Sequence, residues 1–200
     1  MIDGKQARMM VGARDLQPVD GEASFERRSP LRGDDFYATP PETVEALLSV
    51  EKFSGPIWEP ACGDGAISKV LQAAGYEVIS TDLVERGFGP GRVDFLMETR
   101  ALAPDIVTNP PYKIGNEFAA HSCRLATGKV AFLMRLVWLE GQSRRKLFEA
   151  TPLARVWVFS ARIPRMHRDG YDGPKTTSTI AFAWFVWEHG HVGKPTLGWI

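Results

Sequence analysis

Residues 57–83, IWEPACGDGAISKVLQAAGYEVISTDL, decide the fold. Ile57-Trp58-Glu59 is a short apolar run that suits a strand, and Pro60 ends it because proline fixes φ and has no N–H to donate. Gly63 and Gly65 allow a sharp turn and a close backbone approach. A helical pattern follows from about Ala66 to Ala74, and Gly75 closes it. Glu77–Ser80 is extended again and leads into Thr81-Asp82-Leu83. Strand, glycine loop, helix, strand and acidic residue make a βαβ unit, whose right-handed crossover sets the two strands parallel. The loop holds only G-D-G, without the spacing of the dinucleotide fingerprint, and the chain has no G-K-[ST] phosphate loop.

Outward from this unit the same alternation continues. Upstream, Thr39 stands as an N-cap before Pro40, Pro41 and Glu42, and Val44, Leu47 and Leu48 give one apolar helical face. Downstream, residues 84–92 (VERGFGPGR) read as a loop, Val93–Leu96 as a brief extended stretch and Thr99–Ala103 as a turn or short helix. In Asp105–Tyr112, DIVTNPPY, a β-branched run meets two prolines, so a strand must stop and present Asn109 and Tyr112 from a stiff loop. The pattern then gives a helix at Asn116–Ala126, a strand at Lys129–Arg135, a helix at Gly141–Ala150 and a strand at Arg155–Ser160. Residues 161–177 form a polar loop. Ser178–Glu188 (STIAFAWFVWE) is apolar through its middle and so expected to be buried on both faces. The final residues, ending in Trp199 and Ile200, return as an edge segment. The expected fold is α/β, a Rossmann-like doubly wound and mostly parallel sheet with helices on both faces. Residues 34–200 form one catalytic domain, preceded by an arm over residues 1–33 whose Arg27, Arg28 and Arg32 could close over a substrate.

Length and composition set bounds. Two hundred residues, 44% hydrophobic and 24% charged, suit one globular domain. No apolar run approaches the roughly 18 residues of a membrane span, and the N-terminus lacks the apolar core of a signal peptide. Cys62 and Cys123 have no metal-ligand or disulfide spacing, so no metal is expected, and a cytoplasmic location is. Lys plus Arg and Asp plus Glu balance at 24 each, so nucleic-acid binding requires a local patch.

In an open α/β sheet, ligands bind beyond the carboxyl ends of the strands. Those ends carry Glu59–Gly65, Thr81–Leu83, Asp94-Phe95 and Asn109–Tyr112. Asp82 suits a ribose diol, whose two hydroxyls a carboxylate can accept together. Asp94 suits the amino group of an adenine, with Phe95 giving backbone contacts and an apolar wall.

As an ordered set, TPPE, EPACGDG, TDL, VDF and TNPPY resemble the class I S-adenosylmethionine-dependent methyltransferases, and within them those that methylate an exocyclic amino group, as DNA adenine-N6 methyltransferases do. The likeness covers about residues 34–160, and LMRLVWLEGQSRRKLF resembles the segment after that family's catalytic loop. It implies a seven-stranded sheet with an antiparallel last strand, which STIAFAWFVW would fit. It further implies S-adenosylmethionine as cofactor, with Thr39 and Pro40 along its methionine portion and Glu59, Ala61, Gly63 and Gly65 around methionine and sulfonium. Asp82 would take the ribose, Leu83 would pack on the adenine face, and Asp94 and Phe95 would hold the adenine edge.

The catalytic set is then Asn109, Pro110, Pro111 and Tyr112. An aromatic amine is a poor nucleophile because its lone pair is delocalised. Acceptors on both N–H bonds, the Asn109 side-chain oxygen and the Pro110 carbonyl, would aim that pair at the methyl group and stabilise the growing positive charge. Such a loop serves adenine in DNA or RNA, cytosine N4, and the glutamine amide of proteins. DNA adenine is the leading expectation because a small chain suits a minimal enzyme of the phage type; a methyltransferase-like binding module is the non-enzymatic alternative. With no room for a separate recognition domain, substrate binding would fall to Arg162, Arg165, Arg168, Tyr171 and Lys175 of the polar loop, to the arm, and to a second subunit if the protein is a homodimer. Duplex DNA would need its base flipped out.

Overall fold

A computed structural model of the chain describes residues 36–166 and 176–200. Its seven strands are β1 (Ile57–Glu59), β2 (Val78–Ser80), β3 (Asp105–Thr108), β4 (Lys129–Arg135), β5 (Leu153–Val158), β6 (Phe182–Glu188) and β7 (Thr196–Trp199). They form one sheet in the order β2-β1-β3-β4-β6-β5-β7. β1, β2, β3 and β4 run parallel, β6 lies antiparallel between β4 and β5, and β7 runs parallel to β5 at the edge. The expected α/β fold is thus observed, with one difference in detail. The antiparallel strand is next to last, and the edge segment after it is a parallel strand.

The helices are α1 (Pro41–Val50), α2 (Ala66–Ala73), α3 (Gly115–Leu125) and α4 (Gln142–Ala150). Val44 and Leu47 of α1 and Ile67 and Leu71 of α2 pack in one core; Phe118 and Ala119 of α3, with Leu147 and Phe148 of α4, pack in the other. The sheet is therefore covered on both faces. β6 shows why its sequence is apolar throughout. Ala183, Phe185 and Trp187 enter the α3–α4 core, whereas Phe182, Trp184 and Val186 enter the α1–α2 core. Strand alternation with both faces buried leaves no polar position. Trp184 and Trp187 satisfy their indole N–H groups on the Thr43 carbonyl and the Thr151 hydroxyl, at 2.8 and 2.9 Å.

Several boundaries differ from expectation, β5 by two residues at each end, and three others have a local reason. The helix expected to be capped by Thr39 begins one residue later: Pro40 holds the N-cap position with ψ 135°, and the Thr43 hydroxyl donates back to its carbonyl. Val93–Leu96 is not extended. The Asp94 carboxylate accepts from the Leu96 N–H and starts a 3-10 turn at Phe95–Met97, a common competition between a short acidic side chain and the ladder. The strand expected from Ser178 starts at Phe182, because the Ser178 hydroxyl bonds the N–H and carbonyl of Ile180 and curls the backbone there.

One polar group ties the layers together. Glu51, just past α1 and 2% exposed, accepts from Arg155, from Trp157 Nε1 at 2.9 Å and from Lys129 Nζ at 2.7 Å. Burial would raise its pKa, but the bonds from Arg155, Lys129 and Trp157 outweigh it and hold the carboxyl below its ordinary value. Among the described residues, no helix is long and apolar enough to cross a membrane.

Candidate functional site

The carboxyl ends of β1, β2 and β3 carry the residues singled out above. Past β1 the chain turns through Gly63 (φ +56°) and Gly65 (φ +80°). Both need the left-handed region, and a side-chain carbon at either would collide with a ring, that of Phe36 at Gly63 and that of Phe88 at Gly65. The two rings thus lie directly over the glycines, in space that any side chain at those positions would need. Phe36 carries the Arg86 guanidinium 4.4 Å from its centroid, and Phe88 carries Lys69 Nζ at 5.1 Å.

Asp82 follows β2 and is locked by backbone donors. Its Oδ2 accepts from Gly63 N at 2.8 Å and its Oδ1 from Val84 N at 2.7 Å. Each carboxylate oxygen has a second lone pair, so the group is held rigid and keeps one acceptor site on each oxygen for a pair of hydroxyls. Leu83 beside it is 61% exposed, an apolar surface suited to a flat ring. Asp94 is exposed and its Oδ1 caps the 3-10 turn. The ring of Phe95 does not form a crevice wall. It is 2% exposed and sits in the core against Trp58, Phe118 and His121, which leaves only its backbone for a ligand.

Glu59 is 1% exposed and faces α2. Its Oε2 accepts from the Ser68 N–H at 2.9 Å and from the Ser68 hydroxyl, which in turn lies 2.6 Å from the Ser80 hydroxyl. Burial pushes its pKa well above the ordinary 4.5, against the two Ser68 bonds, with Asp64 and Asp82 adding to the rise. A carboxyl with a raised folded pKa contributes stability that is full below 4.5 and lost as pH rises through its folded value. Wild-type melting temperature is therefore expected to fall over that range. Glu59→Gln, which keeps the acceptor for Ser68, should flatten the curve and be the more stable protein at its upper end. Parallel melting curves for the two proteins across pH would refute the assignment.

The third strand end holds the amide. Asn109 Nδ2 donates to Thr39 Oγ1 at 3.2 Å and approaches Met166 Sδ at 3.6 Å, while its Oδ1 is buried with no partner among the described residues. The nitrogen end is thus occupied and the oxygen end is left as an acceptor. Leaving a buried acceptor unmade costs about 1–3 kcal/mol, so such a group is retained where something else donates to it. The Tyr112 hydroxyl also points at Met166 Sδ, at 3.9 Å, and the Arg135 guanidinium lies 4.9 Å from the centroid of the Tyr112 ring. Met166 therefore sits over both Asn109 and Tyr112.

Beside Tyr112 is a cavity of about 280 Å³, whose lining includes Tyr37, Arg135, Arg165 and Met166. Of the substrate residues expected from the polar loop, Arg165 lines this cavity and Arg162 is exposed outside its lining. Arg168, Tyr171 and Lys175 lie outside the described residues, as do Arg27, Arg28 and Arg32. The sequence reading did not single out Phe36, Phe88 or Arg135. Arg135 was within reach of the strand-end rule, since it is the last residue of β4.

No protein-family model and no curated protein sequence matches the chain. Solved structures do. The chain is similar to an S-adenosylmethionine-dependent O-methyltransferase from Thermotoga maritima, at 12% identity over 77% of this chain and 66% of that one, with a TM-score of 0.50. It is similar to a modification subunit of a putative type I restriction enzyme from Vibrio vulnificus, at 14% identity over 84% and 48%, TM-score 0.52. It is similar to TrmN from Thermus thermophilus, at 18% identity over 80% and 51%, TM-score 0.51. The chain spans 48–66% of the length of these three. At such identities the likeness is one of fold, which the chain shares with these three structures.

Proposed function

We propose that the protein transfers a methyl group from S-adenosylmethionine to the exocyclic amino group of a nucleobase, adenine N6 in DNA first among the candidates. One observation carries the reading: the orphaned, buried Oδ1 of Asn109, set beside an aromatic ring at a strand end of a methyltransferase fold. An acceptor with no donor among the described residues fits an N–H that arrives with the substrate.

The residues of the crevice fit the cofactor. The backbone of Gly63 and Gly65, with Ala61 between Pro60 and Cys62, would border the methionine portion, with Thr39 and Pro40 alongside and the buried Glu59 beneath. The two free lone pairs of Asp82 suit the ribose hydroxyls, and the exposed Leu83 suits the adenine face. Asp94 and the Phe95 backbone remain for its amino edge. When bound, the cofactor supplies an electrophilic methyl group on a sulfonium centre.

The chain's own part is to prepare the amine. Thr39 and Met166 hold the Asn109 nitrogen, so its oxygen is fixed as acceptor for one substrate N–H. The Pro110 carbonyl takes the other, and Pro110 and Pro111 keep both acceptors from swinging away. As positive charge grows on the amine, two preorganised acceptors stabilise it without rearranging. Tyr112 stacks on the base, a contact worth roughly 1–3 kcal/mol. Met166 must move aside first, and an unbranched thioether with three rotatable bonds does so readily.

The restriction-modification neighbour favours DNA as the substrate, and the cavity, at the small end of ligand sites, favours one flat group. The test is to incubate the protein with labelled S-adenosylmethionine and unmethylated DNA, RNA or bacterial protein extract. The nucleic acids are then digested to nucleosides and the proteins to amino acids. N6-methyldeoxyadenosine is the expected product. Label found only in RNA or in methylglutamine would move the substrate, and no label anywhere with cofactor bound would overturn the reading.

A further inference from the structure

We propose that Arg135 and Arg165 bind a phosphate of the substrate, so that the cavity beside Tyr112 takes a nucleotide unit and not a bare amine. The inference rests on the methyl-transfer reading and adds the anionic group that the substrate must carry.

The chain is electrically balanced overall, yet this cavity is not. Among the described residues its lining holds two arginines and no carboxylate. Three arginines elsewhere are matched: Arg155 to Glu51 and Glu188, Arg145 to Glu149, Arg92 to Glu85. Neither Arg135 nor Arg165 makes an ion pair among the described residues. Both are exposed, so nothing in the packing requires a cation at either place.

Their positions are nonetheless fixed. Arg135 ends β4 and lies against the Tyr112 ring, a cation–π contact that orients a guanidinium and leaves its N–H fork unused. Arg165 stands in a short antiparallel ladder: its N–H donates to the Thr176 carbonyl at 2.7 Å, Ser178 N–H donates to the Ile163 carbonyl at 2.9 Å, and Pro164 pairs with Thr177. Two planar forks aimed at one cavity match the oxygens of a phosphate, which guanidinium binds in bidentate fashion. The Thr177 and Thr179 hydroxyls add donors to the same lining. Because Arg135 touches the ring on which the base would stack, the anion it binds belongs to the nucleotide being methylated or its immediate neighbour.

The experiment compares wild type with Arg135→Gln, Arg165→Gln and Arg135→Lys, with Arg100→Gln on the exposed surface as control. Wild type should bind dAMP about tenfold more tightly than deoxyadenosine, as expected for charge-assisted bonds to one phosphate. Either glutamine variant should lose most of that preference. Each should also lower the slope of log affinity for DNA against log salt by roughly one. Arg135→Lys should keep the slope, and Arg100→Gln should change neither quantity. An unchanged slope and preference in both glutamine variants would overturn the phosphate assignment while leaving the methyl-transfer reading intact. If wild type binds cofactor but methylates no nucleic acid, the parent reading fails and this one with it. A wild type that instead prefers an acidic peptide to dAMP would also overturn the proposal.

Discussion

Asn109→Ala is expected to lower methyl transfer by about 10²–10³-fold, the usual cost of deleting one preorganised group that meets charge developing in a transition state. Cofactor affinity should stay within a few-fold of wild type. The separation follows from position: of the proposed cofactor contacts only Thr39 touches Asn109, and the rest lie before α1, at the end of β1, on the glycine loop, past β2 and at Asp94-Phe95, whereas Asn109 follows β3. The loss should appear in kcat more than in KM, because the Tyr112 ring and the cavity arginines remain to bind the substrate. Alanine removes the Oδ1 acceptor and also frees Thr39 and Met166 from the amide nitrogen. Fold integrity is checked by the melting temperature, which should fall only slightly, since Oδ1 makes no hydrogen bond among the described residues that alanine would break. Methylation by the variant within a few-fold of wild type, at equal cofactor occupancy, would remove Asn109 from the chemistry.

The second large effect is on stability. Glu51→Ala should cost about 3 kcal/mol, the lower end of the range for stripping one partner from a buried ion pair, because Arg155 and Lys129 keep 23% and 21% of their side chains exposed to screening water. For a domain of this size that corresponds to a melting temperature lower by about 6–12 °C. The sign with pH is opposite to that of Glu59. Glu51 has a folded pKa below its ordinary 4.5, so its contribution is present above that value and is lost as pH falls through the folded one. Denaturant unfolding of wild type and variant should differ fully near neutrality and converge in acid. A difference below about 1 kcal/mol at neutral pH would mean that screening dominates, as in surface pairs.

How far the sequence could be read depended on how local each cause was. The βαβ unit, the strand that ends at Asn109 and the doubly buried β6 follow from spacing and residue type within a dozen positions, and all three stand in the structure. Ser178 and Asp94 misled because a single side chain diverted the backbone from its apolar pattern. The environment of Asn109 was out of reach for a different reason. Thr39 and Met166, which fix the direction of its amide, come from 70 and 57 residues away, and no periodicity encodes such a meeting. Phe95 shows the same limit inverted. Its place beside Asp94 was read correctly, but which way its ring turns depends on Trp58 of β1 and on Phe118 and His121 of α3, two other segments.

The position of β6 also bears on how the chain is made. β6, residues 182–188, lies between β4 and β5 in the sheet but is synthesised after both. Until then β4 and β5 have no partner on the sides that β6 will fill, and each offers an unpaired apolar edge to any strand nearby. During synthesis the α1–α2 and α3–α4 layers can gather around β1, β2, β3 and β4, but β5 joins that sheet only when β6 is threaded in antiparallel between β4 and β5. A ribosome stalled before residue 182 would therefore hold out a sheet split between β4 and β5, which makes this stage of translation one at which a chaperone is most needed.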